Sequence, residues 1–223
     1  MELIKTKDLS KVYISGETET KALRGVSLVI ENGEFSAITG PSGSGKTTLF
    51  NLIGALDSPT SGKIFFNGKD LSNLNKRERT LFRREKIGFV FQTFNLIPVL
   101  TALENVAFPL NLLGVPEKEI KKKVYKLLGK VGLKGMEKRK PAALSGGQQQ
   151  RVAVARALIK DPVLVLADEP TANLDSATGG EIMKLMRKLN KEEGITFLFA
   201  THDPMVMEYS TRRIKLRDGK IQE

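Results

Sequence analysis

Between an apolar stretch at residues 34–39 and a segment of helical spacing at residues 46–56 lies Gly40-Pro41-Ser42-Gly43-Ser44-Gly45-Lys46-Thr47. No other feature constrains the fold of this 223-residue chain as tightly. The pattern is G-x-x-x-x-G-K-[ST], set after a strand and before a helix, where such a loop can work. Glycines allow backbone conformations that turn successive N–H groups toward one concave anion site. In the segment that follows, Leu49, Leu52, Ile53 and Leu56 recur at helical spacing, and a helix starting there adds the positive end of its dipole. Lys46 is suited to the outer phosphates of a nucleoside triphosphate, and the Thr47 hydroxyl to Mg²⁺, with Thr48 continuing the phosphate-binding turn.

The remaining pattern predicts an α/β fold with helices on both faces of a mixed sheet. Residues 3–14 and 22–30 read as strands around a polar turn at 15–20, forming an N-terminal antiparallel β subdomain. Strands are predicted at 63–67, 87–91, 163–167 and 196–200, and a charged helix at 75–84. The middle of the chain, about 92–160, changes character: helices are expected at 102–113, 116–131 and 146–159, as an α-helical subdomain inserted between core strands. A helix at 178–193 and a terminal hairpin at 213–221 around Asp218-Gly219 complete a single domain, 1–223, whose core is 1–91 plus 161–223.

Two further motifs narrow the chemistry. The apolar run 163–167 ends in Asp168-Glu169, an expensive place for two carboxylates unless a cation answers them. A phosphate-bound Mg²⁺ is such a cation: Asp168 would face it through water, and Glu169 would polarise an attacking water. Separately, Leu144-Ser145-Gly146-Gly147-Gln148 opens the helix at 146–159. Ser145 is an N-cap residue type, and the paired glycines let a backbone approach an anion. One chain with two phosphate-binding helix starts, far apart in sequence, invites a two-chain solution.

That pentapeptide, followed by Gln149-Gln150-Arg151-Val152-Ala153-Val154-Ala155-Arg156-Ala157-Leu158, resembles the signature of ABC ATPases, and the resemblance covers essentially the whole chain. It implies that Ser145, Gly146, Gly147 and Gln148 of one subunit bind the γ-phosphate of ATP held by Gly40–Thr48 of another. It implies that Gln92, after the strand 87–91, touches Mg²⁺ and senses a transmembrane partner. Asn173-Leu174-Asp175 resembles the D-loop that crosses the dimer interface, with Asp175 at that interface; the family often has a small residue where Asn173 stands. Tyr13 resembles the aromatic that stacks on adenine. His202, the only histidine, resembles the switch histidine that contacts the γ-phosphate beside Glu169. The stretch from Gly88 through Gln92, Pro98 and Glu104 to Val106 is similar to the lipoprotein-release and macrolide-export branch. Phe94, Leu96, Ile97 and Pro98 are expected to line a groove for a partner's cytoplasmic helix.

Composition decides among the remaining classes. Apolar residues at 40% and charged residues at 27% suit a globular core. Without cysteine there is no disulfide framework or thiolate metal site. No apolar run approaches the length of a bilayer span and the N-terminus lacks a signal pattern, so the expectation is a cytoplasmic chain without membrane insertion, peripheral on the membrane through a permease partner. The net charge of +11 suits nucleic acid, anionic headgroups or a solvated surface. The excess is mostly lysine, 24 against 12 arginines, densest on the amphipathic stretch Lys118 to Lys126, which favours a solvated helix face and argues against nucleic acid. A GTPase would need Asn-Lys-x-Asp, but Asn190-Lys191-Glu192-Glu193 lacks the aspartate. A non-transport ABC ATPase is the alternative; one motif set and no long coiled-coil insertion weigh against it.

Overall fold

The computed structural model describes residues 1–222. β1 (Glu2–Ser15) and β2 (Thr18–Glu31) form a long antiparallel hairpin. Both strands run further than the sequence pattern suggests. The turn tightens to Gly16-Glu17, with Gly16 at φ 61°, so Ser15 pairs directly with Thr18. β4 (Ser61–Phe66) pairs with β1, and the Asn67-Gly68 turn returns a two-residue strand, β5 (Lys69–Asp70), too short to leave an alternation in sequence. This sheet has the order β2-β1-β4-β5.

The second sheet adds β3 (Phe35–Thr39), β6 (Ile87–Phe91), β7 (Leu164–Asp168), β8 (Thr196–Thr201), β9 (Arg212–Arg217) and β10 (Lys220–Gln222), in the order β10-β9-β3-β8-β7-β6. All neighbours are parallel except the terminal β9–β10 hairpin. Every residue of β3 and β8 is buried, as expected for parallel strands covered on both faces. Parallel pairing also brings the carboxyl ends of β3, β6, β7 and β8 to one edge, where α/β sheets bind ligands.

Helices cover the sheet from both sides. α1 (Lys46–Ile53) follows β3 and stops early, because Ala55 turns left-handed at φ 51° after Gly54. Leu49, Leu52 and Ile53 on α1 pack with Leu3, Ile4 and Leu9 of the N-terminal sheet and with Leu166 and Leu198 of the parallel one. α2 (Lys76–Lys86) starts at an Asn75–Glu78 capping box. α3 (Ala102–Leu112), α4 (Glu117–Lys130) and α5 (Gly146–Leu158) make a helical layer with its own core around Val106, Leu110, Val124, Leu128 and Val152. α5 belongs to two cores: Val152 and Ala155 face the helical layer, while Val154 and Leu158 face the parallel sheet together with α6 (Ser176–Glu193). The short α7 (Pro204–Tyr209), capped by Asp203, was not part of the expected pattern; six residues carry too little periodicity to read.

Candidate functional site

The loop between β3 and α1 needs glycine for two separate reasons. Gly40, Gly43 and Gly45 have φ of 155°, 78° and 101°. In addition, a Cβ on Gly40 would lie 2.0 Å from the Leu216 carbonyl oxygen, and one on Gly45 would lie 2.5 Å from that of Ala22. The loop is thus wedged between β9 and β2. No side chain caps α1, which leaves its first-turn N–H groups without a side-chain partner. The Lys46 ammonium donates to the carbonyls of Gly40 at 2.7 Å and Pro41 at 2.9 Å, clasping the loop. Ser44 Oγ is buried with no hydrogen-bond partner.

This loop floors a cleft of 1010 Å³ lined by Lys46, Thr47, Thr48, Gln92, Asp168, Glu169 and His202, with Lys21 and Arg24 from β2 on the rim. β7 and β8 lie in register, Asp168 opposite Ala200, so Glu169 meets Thr201, the last residue of β8, and His202 just past it. Burial pushes the Asp168 carboxyl above its ordinary range, the Glu169 charge pushes the same way, and Lys46 opposes both. Glu169 sits at φ 44°, an uncommon conformation for its type, fixed by its N–H bond to the Ala200 carbonyl at 2.9 Å. One carboxylate oxygen, Oε1, accepts from the His202 backbone N–H at 3.1 Å and lies 2.6 Å from His202 Nδ1. A carboxylate only accepts, so Nδ1 carries the hydrogen of that contact. The other oxygen, Oε2, accepts from the Thr201 hydroxyl at 2.9 Å.

The remaining candidates fall in three places. Gln92 lines the cleft, and its carbonyl accepts from the Asn173 side-chain amide at 3.0 Å. Tyr13 does not line the cleft. It lies across the hairpin from Thr20, which does, and its hydroxyl donates to Asp57 at 3.2 Å while the Lys11 ammonium sits 5.0 Å from its ring centre. Burial raises the Asp57 carboxyl, but bonds from Lys11, Ser58 and Tyr13 outweigh it and leave that group below its ordinary range. Ser145, Gly146, Gly147 and Gln148 are also outside the cleft. Ser145 and Gln148 form a reciprocal capping box at the start of α5. Gly147 is buried, and a Cβ on it would lie 2.4 Å from Thr178 Cγ2, so packing against α6 already demands glycine there. Gly146 faces only ordinary contacts with Leu174, Asn173 and Phe94. Asp175 caps α6 through Thr178, accepting from its N–H at 2.9 Å and its hydroxyl at 2.6 Å.

Several participants went unread in the sequence. Thr201 and the pair Thr171–Asp203 brace Glu169, and the only trace is a polar end to an apolar strand. Arg156 on α5 donates to the carbonyls of Phe94 and Asn95, both at positive φ. That clasp turns the loop so that Leu96 packs into the helical core. The adjoining groove of 210 Å³ is lined instead by Phe89, Phe91, Asn95, Pro109, Arg156 and Lys160.

The donor set fits a nucleoside triphosphate with a hard divalent cation. Free first-turn N–H groups and one lysine suit phosphate oxygens. Two adjacent acids, one disfavoured in its charged form, suit a cation that shares its charge with phosphates. Among the described residues no cluster of three or more His, Cys, Asp or Glu could hold a metal. Thr47 and Gln92, which line the same cleft, carry side-chain oxygens of the kind such a cation takes.

The family model described as ABC transporter matches residues 23–172. The chain belongs to the ABC transporter ATP-binding family. As an ABC ATPase it binds and hydrolyses ATP, with Mg²⁺ as the usual companion of such a loop. It is 48% identical over 224 residues to the macrolide export ATP-binding/permease protein MacB of Syntrophobacter fumaroxidans; the match takes in 100% of this chain but 31% of that protein, so the ABC ATPase spans about a third of this relative. It is 44% identical over 219 residues to the lipoprotein-releasing system ATP-binding protein LolD of Geobacter metallireducens, covering 98% of this chain and 97% of that one. Its fold is similar to the cassette MJ0796 of Methanocaldococcus jannaschii, solved as a dimer in a post-hydrolysis state bound to ADP and Pi. The TM-score is 0.90 at 47% sequence identity, covering 99% of this chain and 97% of that one.

Proposed function

We propose that this ABC ATPase powers a transmembrane permease of the lipoprotein-release or macrolide-export branch, working as an ATP-dependent homodimer on the cytoplasmic face of a membrane. One observation carries the reading: Ser145–Gln148 stand at a helix start outside the cleft of their own chain, so a site that uses them needs a second copy. Relatives named as the ATP-binding part of a lipoprotein-releasing system and of a macrolide exporter support the branch. No helix among the described residues is long and apolar enough to cross a membrane, in keeping with a permease segment supplied elsewhere. Residues 1–91 and 161–223 act as the nucleotide core, and 92–160 as the arm that carries the signature.

In this reading Lys46 leaves the carbonyls it clasps and takes up the outer phosphates, joined by the N–H groups of residues 40–48. Thr47, Gln92 and Asp168 are the residues that would hold Mg²⁺, which would supply positive charge against the phosphates. Glu169 orients the attacking water and receives its proton, and His202 steadies the same region. Tyr13 closes on the adenine from the rim, and Asp175 meets the second copy. Dimer closure does the mechanical work and hydrolysis reopens it.

The test is the mass, by light scattering, of Glu169→Gln with and without ATP and Mg²⁺. A nucleotide-dependent shift from monomer to dimer, with hydrolysis lost by about a hundredfold or more, is the expected result. A variant that stays monomeric at saturating ATP and hydrolyses normally refutes the assignment.

A further inference from the structure

Between Thr196 and Thr201 the residues of β8 are apolar, and Thr201, its last residue, is fully buried and lies beside the cleft it does not line. A buried hydroxyl must find partners, and those of Thr201 fix its direction. The Asp203 backbone N–H donates to Thr201 Oγ1 at 2.9 Å. The single hydroxyl hydrogen goes to Glu169 Oε2 at 2.9 Å, an oxygen that can only accept. Asp203 cannot drift, because its Oδ2 accepts from the Thr171 hydroxyl at 2.6 Å and its Oδ1 from the Met205 N–H at 2.9 Å. Thr171 is itself buried, two residues beyond Glu169. The loop after β7 and the turn after β8 are therefore tied twice, by Thr201 to Glu169 and by Thr171 to Asp203.

The two sides of the Glu169 carboxylate differ in kind. Oε1 takes the His202 backbone N–H and, as its only side-chain partner, the His202 ring, which is 75% exposed; Oε2 is held by a side chain with no exposure at all. Exposed side chains change rotamer freely, whereas a buried residue in a central strand does not. We propose that Thr201 is a positioning residue of the hydrolytic site, the buried side chain that fixes the Glu169 carboxylate. It anchors Oε2 of Glu169, leaving Oε1 as the oxygen that meets water and His202. This rests on the reading of Glu169 as the group that receives the proton.

The test uses Thr201→Val, which replaces the hydroxyl by a methyl of similar size, with Thr201→Ala as a second variant should valine overfill the site. Steady-state ATPase should show kcat lower by about tenfold or more in both, with KM for ATP within about twofold, as expected for a lost hydrogen bond to a charged group that acts on the chemical step. Thr201→Ser should recover kcat to within about threefold, since it keeps the donor. In the Glu169→Gln background, adding Thr201→Val should neither change the ATP concentration needed for dimerisation nor slow residual single-turnover hydrolysis further, because both changes act through one group. Full kcat in Thr201→Val overturns the proposal. So does loss of dimerisation in the double variant, or a serine variant as slow as valine, since either reports a merely structural residue. Normal hydrolysis by Glu169→Gln itself would remove the underlying reading, whereas an inactive Glu169→Gln beside a fully active Thr201→Val removes only the role of Thr201.

Discussion

Gly147 is buried where α5 crosses α6, and the reason it must be glycine can be tested by compensation. Its φ is not in the left-handed region, so alanine suits the backbone. The obstacle is one atom: a Cβ would stand 2.4 Å from Thr178 Cγ2, about 1 Å inside ordinary contact. Thr178 cannot simply rotate away, because its hydroxyl is bound to Asp175 at 2.6 Å and its N–H to the same carboxylate at 2.9 Å. Gly147→Ala should therefore cost about 2 kcal/mol, in the range for one methyl forced into a packed contact, and lower Tm by about 4–8 °C in a chain of this size. Thr178→Ser removes the offending methyl while keeping the bond to Asp175, and alone should cost about 0.5–1 kcal/mol. The double variant should return to within about 1 kcal/mol of the parent, helped by the better helix propensity of alanine. The coupling, read from urea unfolding of all four proteins, should be about 1.5–2 kcal/mol. Additive losses, with the double variant worse than Gly147→Ala, would refute the contact argument. They would leave approach to an anion as the sole reason for glycine at this position.

Two further expectations concern Lys160, which lines the groove, and Asn105, which is buried on α3. Burial, and then the nearby Arg83 charge, lower Lys160 from its ordinary 10.5 to about 8. Between those values the unfolded chain keeps a proton that the folded chain has lost, so this lysine makes stability rise with pH from about 8 to about 10.5 and costs most below about 8. The drop corresponds to at most roughly 3 kcal/mol. Lys160→Met also loses a 2.7 Å bond to the Arg83 carbonyl, so its net gain at pH 7 should be about 1–2 kcal/mol, shrinking across that window. A difference in Tm that does not change with pH would count against this. Asn105 is fully buried and accepts from the Ile97 N–H at 2.7 Å while donating to the carbonyls of Ile97, Leu100 and Thr101. Asn105→Ala orphans these backbone groups and should cost about 3 kcal/mol in urea unfolding, with faster proteolysis at residues 97–101; a loss under about 1 kcal/mol would show that water replaces the amide.

What the sequence alone determined about this chain is what short-range chemistry determines. The phosphate loop is one unbroken run of sequence, and the cap at Ser145 closes on Gln148 in the next turn, so residue type and spacing suffice to read them. The apolar runs of β3, β7 and β8 declare parallel strands for the same reason: each is buried on both faces wherever it lies in the sheet. Tertiary structure decided everything that depends on register and on which atoms meet across elements. Glu169 meets Thr201 and His202 only because β7 and β8 pair with Asp168 opposite Ala200, and a shift of one residue would turn those side chains to the other face. Tyr13 stands by Asp57 and Lys11 instead of in the cleft because β1 meets the loop after α1. Arg156 clasps Phe94 and Asn95 because α5 lies against β6, and Gly147 is forced by a methyl on α6. Such contacts join residues some 30 to 60 positions apart. Chain connectivity does not encode their distance; the packing of two sheets and a helical layer does.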